Sequence, residues 1–208
     1  RCERHFSNGG DSRRPGKNLY AARLKLLFDR PLEPDRPPIL TFGIPRVLNM
    51  YENFPFWCRL LTACGFRVVL SSPSGPTQFE QGIPTVMSES VCFPGKLVHG
   101  HILQLIRRGV DRIFYPIVVF ENKESERSQN SFNCPIVTGY PDVIRSSIDP
   151  EGSCGIPVDS PVVSFKDKAL LKKQLRLFFK SRGIRPRRID EAVEQALSAQ
   201  REAGEELR

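Results

Sequence analysis

Closely spaced cysteines are missing from this sequence. Six cysteines are spread along 208 residues, and no two of them form a CxxC pair. Without an export signal, this spread disfavours a disulfide framework. It also argues against a zinc ribbon, whose ligands come in close pairs. The cysteines are therefore expected to be core thiols or metal ligands contributed by widely separated loops.

The signature motifs of several enzyme classes are also missing. No G-x-G-x-x-G, Walker A, G-x-S-x-G or H-E-x-x-H occurs, which removes the usual signatures of nucleotide binding, serine hydrolysis and zinc peptidases. No apolar run approaches the roughly 18 residues of a membrane span. The chain starts with neither an initiator Met nor a signal-peptide pattern. We therefore expect a cytoplasmic protein without a membrane segment, cut from a longer chain.

Positive charge is in excess, with a formal net charge of +8. Clustered basic residues neutralise phosphates, so the excess raises the question of nucleic-acid binding. The one dense patch contains Arg182, Arg185, Arg187 and Arg188, and elsewhere basic residues alternate with acids along helices. Because no nucleic-acid motif accompanies the patch, nucleic acid is disfavoured as a partner. A CoA moiety or an anionic cluster would also suit this charge.

Apolar runs of strand length alternate with segments of helical periodicity. Strands are expected at 39–45, 66–70, 112–120, 135–138 and 162–165, and helices at 19–28, 54–64, 94–108, 141–146, 167–181 and 188–206. The alternation predicts a three-layer, doubly wound (Rossmann/flavodoxin-like) α/β fold with a mostly parallel sheet. We divide the chain into an N-terminal arm (1–38), a Rossmann-like lobe (39–165) and a C-terminal helical extension (166–208).

The first candidate site surrounds Cys92. Pro94 marks the start of a helix there, and the N–H groups and positive dipole end of a helix start stabilise a thiolate. Spacings of four and seven residues place Lys96 and His99 on the same helical side as Cys92. In the alternative reading, Cys92 is a small buried apolar side chain, and His99 and His101 hydrogen-bond nearby backbone.

The second candidate is Cys134, which follows a long polar loop and precedes an apolar run. Loops at strand ends are where α/β sheets place ligands. Together with Cys92 it supplies two widely separated thiols, which suits a cluster built between loops. Cys58 and Cys64 lie on a predicted helix with apolar neighbours, so both are expected in the core. Cys154 lies in a turn and has no assigned role.

Three segments carry a family resemblance: 43–57 (GIPRVLNMYENFPFW), 88–101 (SESVCFPGKLVHGH) and 133–141 (NCPIVTGYP). In this order they resemble the 2-hydroxyacyl-CoA dehydratase and CoA-substrate-specific enzyme activase family. The likeness is to the dehydratase-like domain of long activase-type proteins, which are related to double-cubane cluster proteins. The predicted first helix and the C-terminal helices also look like that family, so the resemblance extends over nearly the whole chain.

The resemblance implies an iron–sulfur, electron-transfer role in an oxygen-sensitive system. An ATP-dependent activator would deliver an electron to a 4Fe-4S cluster in a dehydratase-like partner that acts on an acyl-CoA. By motif position, Cys92 and Cys134 are the implied ligands, and Lys96 and His99 would tune the cluster. The cluster would be shared with a second lobe of the parent chain or with a dehydratase-like subunit, so this chain is not expected to be active alone. Cys2 resembles the end of a further family cysteine motif.

The alternative to this role is a non-catalytic scaffold. In that reading the lobe docks a CoA ligand or the ATP-dependent activator and holds no metal. It is kept open because two cysteines are too few to hold a cluster alone.

Overall fold

The computed structural model describes residues 18–123 and 129–207. A short 3₁₀ turn, Ile83–Thr85, precedes the fourth helix. The elements in chain order are α1 (Leu19–Phe28), β1 (Thr41–Ile44), α2 (Met50–Cys64), β2 (Arg67–Leu70), α3 (Pro76–Gly82), α4 (Phe93–Arg107), β3 (Arg112–Phe114), β4 (Ile117–Phe120), α5 (Pro135–Ser147), α6 (Pro150–Cys154), β5 (Val158–Asp159), β6 (Val162–Ser164), α7 (Lys168–Lys180) and α8 (Pro186–Glu206).

The strands form a parallel sheet with two interruptions. The strands β2, β1, β3 and β5 lie side by side in that order, and β4 pairs in parallel with β6. Pro116 and Pro161, which have no N–H to donate, lie between β3 and β4 and between β5 and β6. The N–H of Tyr115 donates to the carbonyl of Asp159 (2.8 Å), and that of Ile117 to the carbonyl of Pro161 (3.0 Å). Hydrogen bonding therefore continues across both prolines.

Helices cover both faces of the sheet. From β1 the chain first moves to β2 on one side and later to β3 on the other, and right-handed crossovers then place the connecting helices on opposite faces. Helices α1, α2, α7 and α8 share one apolar cluster, and α4 and α5 share the other. This confirms the predicted doubly wound α/β fold. In such folds ligands bind at the carboxyl ends of the strands beside the change of direction, which here lies between β1 and β3.

Helix α2 lies in the core and ends where the sequence predicts. Phe54, Trp57 and Leu61 have no exposed surface. Gly65 adopts the left-handed conformation (φ 97°), and its N–H donates to the carbonyls of Leu61 and Thr62. Glycine suits this position because it has no Cβ to collide with the preceding turn.

The predicted strand at 135–138 is wrong, because these residues form the first turn of α5. Pro135 occupies the first helical position, and the sulfur of Cys134 accepts the N–H of Ile136 (3.4 Å). A fixed φ and a missing N–H favour proline at a helix start. This local cap outweighs the strand preference of the β-branched residues that follow. Helix α5 also includes the predicted helix at 141–146.

The segments before β1 and after β6 pack on the same core as the lobe. Phe28 of α1 contacts the aromatic rings of α2, and the Gln200 side chain of α8 donates to the carbonyl of Glu52 in α2 (2.7 Å). Residues 1–17 of the predicted arm, including Cys2, and residue 208 lie outside the described residues, and the three-part division stays a prediction. No helix in the described part of the chain is long and apolar enough to cross a membrane.

Gly100→Ala tests the crossing of α3 and α4. A Cβ added to Gly100 would overlap the backbone carbonyl of Gln78. Because the overlap is with backbone in a packed region, the helices must separate to relieve it. We expect a loss of about 1–3 kcal/mol in the free energy of unfolding, measured by urea denaturation.

Gly139→Ala in α5 is the matched control. Nothing lies within 4 Å of a Cβ at this exposed position. Alanine favours helix over glycine, so the free energy of unfolding should rise by about 0.5–1 kcal/mol. If Gly139→Ala shows this gain and Gly100→Ala has the free energy of unfolding of the wild type, the close crossing of α3 and α4 is contradicted.

Candidate functional site

Two exposed cysteines begin neighbouring helices at one edge of the sheet. Cys92 is the N-cap of α4 and Cys134 is the N-cap of α5. Each is followed by a proline in the first helical turn, Pro94 or Pro135. Both helices cover the same face and start at the edge where the parallel strands end. The structure thus places both sequence-predicted thiols at the carboxyl edge.

The first turns of α4 and α5 are in contact. A Cβ added to Gly95, in the first turn of α4, would lie 2.7 Å from Val91, and it would lie 3.3 Å from Ile136 and 3.4 Å from the ring of Tyr140, both in α5. Glycine at this position lets the helix starts approach closely. This approach holds the two N-caps on the same part of the edge.

A half-buried carboxylate, that of Glu121, holds the loop that leads to Cys134. The side-chain amide of Asn133 donates to Glu121 Oε1 (2.8 Å) and to the carbonyl of Val118 (3.0 Å). The amide of Asn53 in α2 donates to the same Glu121 oxygen (2.8 Å). Burial raises the pKa of Glu121. Sequence reasoning missed Glu121, although its position directly after the apolar run of β4 is a signal that could have identified it.

Lys96 acts on the turn before Cys92. Its ammonium donates to the carbonyl of Glu89 (2.8 Å). This bond ties the first turns of α4 to residues 88–92. The sequence predicted Lys96 beside Cys92 from helical spacing. In the structure its ammonium bonds the backbone of the turn that precedes Cys92.

His99 is buried and its hydrogen bonds define its tautomer. Nδ1 lies 2.8 Å from the Thr85 hydroxyl, and Nε2 lies 3.1 Å from the Tyr140 hydroxyl. Thr85 donates its own proton to the carbonyl of Gly82 (2.8 Å). Thr85 must then accept from Nδ1–H of His99, which leaves Nε2 to accept from Tyr140. Burial lowers the pKa of His99 to about 4, so the ring is neutral at pH 7.

Tyr140 lies between His99 and the cysteine edge. Burial, and to a smaller degree the nearby Cys92, raises the pKa of Tyr140 to about 12. His99 therefore connects to the Cys92 region through the Tyr140 hydroxyl. Sequence reasoning missed Tyr140, because its partner His99 is 41 positions away and nothing in the local pattern pairs them.

A second buried histidine joins the loops after β1 and β2. His101 Nδ1 lies 2.8 Å from the Ser71 hydroxyl, and Nε2 lies 3.0 Å from that of Ser74. Ser71 also accepts the backbone N–H of Arg46 (2.7 Å). Two residues later Leu48 has a φ of 47°, a left-handed conformation that is uncommon for a non-glycine residue. The network holds this unusual loop at the carboxyl end of β1.

The other described cysteines lie away from this edge or inside the core. Cys58 and Cys64 are buried, as expected, and burial raises the pKa of each to about 12. Cys154 is exposed at the end of α6. No group of three or more His, Cys, Asp or Glu side chains that could hold a metal ion occurs among the described residues. An iron–sulfur cluster takes four ligands, and the carboxyl edge offers two exposed thiols, Cys92 and Cys134.

A comparison with protein families gives one finding. The family model described as "CoA enzyme activase uncharacterised domain" (DUF2229) matches residues 41–208. The match includes the segments 43–57, 88–101 and 133–141, and with them both cysteines of the carboxyl edge. No curated protein matches the chain.

Mild acid should destabilise the protein through His101. Burial lowers its pKa to about 4, from 6.5 in the unfolded chain. The native state favours the neutral ring of His101. The resulting contribution to the free energy of unfolding is therefore fully present above pH 6.5 and is lost as the pH falls toward 4. Between pH 7 and 5 we expect it to lower the free energy of unfolding by about 2 kcal/mol, measured by urea denaturation.

His101→Gln isolates this effect, because glutamine keeps a hydrogen-bonding group and does not titrate. The loss of stability between pH 7 and 5 should be smaller in the variant by about 2 kcal/mol. Equal losses in the two proteins would mean that His101 is protonated as readily in the native state as in the unfolded chain.

Proposed function

The chain belongs to the CoA enzyme activase uncharacterised domain family, and from this premise we propose that it is an iron–sulfur cluster-binding, electron-transfer lobe of a 2-hydroxyacyl-CoA dehydratase- or activase-type protein. The observation that carries the proposal is the placement of Cys92 and Cys134 as N-caps of neighbouring helices at one edge of the sheet. A bound 4Fe-4S cluster would supply one-electron transfer at this edge.

The chemistry of the two helix starts supports this assignment. Cluster sulfurs and cysteine thiolates carry negative charge and accept N–H hydrogen bonds. Helix N-termini offer N–H groups and partial positive charge. The N–H of Ile136 already donates to the Cys134 sulfur (3.4 Å). Both thiols are exposed, so a second protein surface can reach them.

The neighbouring residues position the thiols. Glu121 fixes the loop before Cys134 through Asn133, and Lys96 fixes the turn before Cys92 through the carbonyl of Glu89. His99 lies behind Tyr140, which faces the Cys92 region. Lys96 and His99 thus act on the site through the backbone and through Tyr140.

Two thiolates leave half of a cubane's ligand set to another source. We assign the remainder to a further lobe of the parent chain or to a dehydratase-like subunit. The ATP-dependent activator would then dock against the same edge to pass its electron. The described residues contain no complete metal site, so the proposal requires this second source of ligands.

A second candidate is a metal-free docking lobe for an acyl-CoA or for the activator. An apolar pocket of about 390 Å³ at the carboxyl edge favours it, because such a pocket suits an acyl chain or an apolar side chain of a partner. It is lined by Val47, Leu48, Tyr51, Ser74, Pro94 and Leu97.

Anaerobic reconstitution with iron and sulfide tests the proposal, since two copies of the chain together carry four edge thiolates. We expect iron, acid-labile sulfide and visible absorption in the wild-type chain. Cys92→Ser and Cys134→Ser should each lose most of this content, because each removes a ligand from both copies.

Cys154→Ser is the matched control, since Cys154 is also exposed but lies outside the edge. It should keep the wild-type iron and sulfide. A cluster that survives in both edge variants would rule out cluster binding by these thiols. A wild-type chain that stays colourless would rule out cluster binding by this chain alone and favour the docking lobe.

A further inference from the structure

An open groove lies at the edge of the sheet opposite the cysteines. It has a volume of about 700 Å³ and runs between the end of α2, the start of α8 and the segment before β1. Helix α2 ends just before β2 starts, so the groove is at the edge where the strands begin. A ligand bound there is separated from Cys92 and Cys134 by the length of the sheet.

Positive charge dominates the lining of this groove. Two carboxylates, Asp35 and Glu191, also face it. The five arginines that line it, here named the arginine groove, are Arg36, Arg59, Arg185, Arg187 and Arg188.

Most of this positive charge has no protein counter-charge. Arg187 pairs with Glu191 (2.9 Å), and Arg188 donates to the carbonyl of Ala63 at the end of α2 (3.1 Å). Like charges gathered in one groove repel one another, and a bound anion would neutralise them. Four of the five take part in no ion pair among the described residues: Arg36, Arg59, Arg185 and Arg188.

Part of the groove lining is apolar. Ile39, which is 54% exposed, lies beside Ala63, Ile184 and Ala192. An exposed isoleucine between arginines offers a surface for an uncharged part of a ligand. No aromatic residue is among the described residues that line the groove, and single-stranded nucleic acids are usually held by stacking on aromatic rings.

We propose that the arginine groove binds a phosphorylated small molecule of nucleotide size. Its phosphates would lie on Arg59 and Arg185, because guanidinium groups hold phosphate oxygens through paired hydrogen bonds, and its uncharged part would lie on Ile39. A volume of about 700 Å³ is within the range of small-ligand sites. The proposal does not depend on the cluster at the opposite edge.

Calorimetric titration of the metal-free chain with ADP, pyrophosphate and adenosine tests this proposal. We expect ADP to bind at a single site, pyrophosphate to bind more weakly because it lacks a part that covers Ile39, and adenosine not to bind. Arg59→Gln and Arg185→Gln should each weaken ADP binding about tenfold or more, through loss of a charge-assisted hydrogen bond. Both side chains are exposed, so the thermal unfolding of both variants should match the wild type.

Arg201→Gln is the matched control, since Arg201 is an exposed arginine near the other end of α8. It should leave ADP binding unchanged. Several results would overturn the proposal: absence of ADP binding, equal weakening by all three variants, or pyrophosphate binding as tightly as ADP. Arginine-dependent binding of a short oligonucleotide or an acidic peptide without ADP binding would assign the groove to a macromolecule instead. Because the cysteines take no part, failure here leaves the cluster proposal standing.

Discussion

The burial of α2 is the constraint on which the rest of the structure depends. Phe56 and Trp57 of this helix meet Phe114 of the sheet and Phe165 after β6 in edge-to-face contacts. Such contacts between large rings stabilise a core beyond the area that they bury. With α8 packed along its other side through Gln200, α2 is enclosed between the sheet and the C-terminal helix.

Each end of α2 then contributes to a different edge of the sheet. At its start, Asn53 bonds the carboxylate of Glu121 and so helps to hold the loop before Cys134. At its end, Arg59 and the carbonyl of Ala63 form one wall of the arginine groove. One buried helix therefore supports a surface rich in thiols at one edge and a surface rich in guanidinium groups at the other.

Much of the fold could be predicted because its signals are local. Pro94 marked a helix start and Gly65 a helix end, and both are where the sequence placed them. Pro135 carries the same signal as Pro94, but the β-branched residues after it favoured a strand, and the prediction was wrong there. Short elements such as α3, α6 and β5 were missed, since seven residues or fewer carry little periodicity.

The site was predictable only in part, for the same reason. Cys92 and Cys134 were found from their positions beside strand and helix ends. Their surroundings depend on partners that are distant in the sequence: Glu121 meets Asn53 across 68 positions. The patch around Arg185 was visible from the sequence. That Arg59 lines the same groove could not be predicted, because it depends on the antiparallel packing of α2 against α8.

The crossing of α3 and α4 at Gly82 and Gly100 fixes the direction of the hydrogen-bonded chain that runs from Tyr140 through His99 and Thr85. Thr85 donates its hydroxyl hydrogen bond to the carbonyl of Gly82, so Thr85 accepts from His99 and His99 accepts from Tyr140. Every donor in this wire points inward, toward the helix crossing. The outer end, at the Tyr140 oxygen, is left with lone pairs. Close packing of two backbones thus sets the direction of donation along the whole chain, from Tyr140 to the helix crossing.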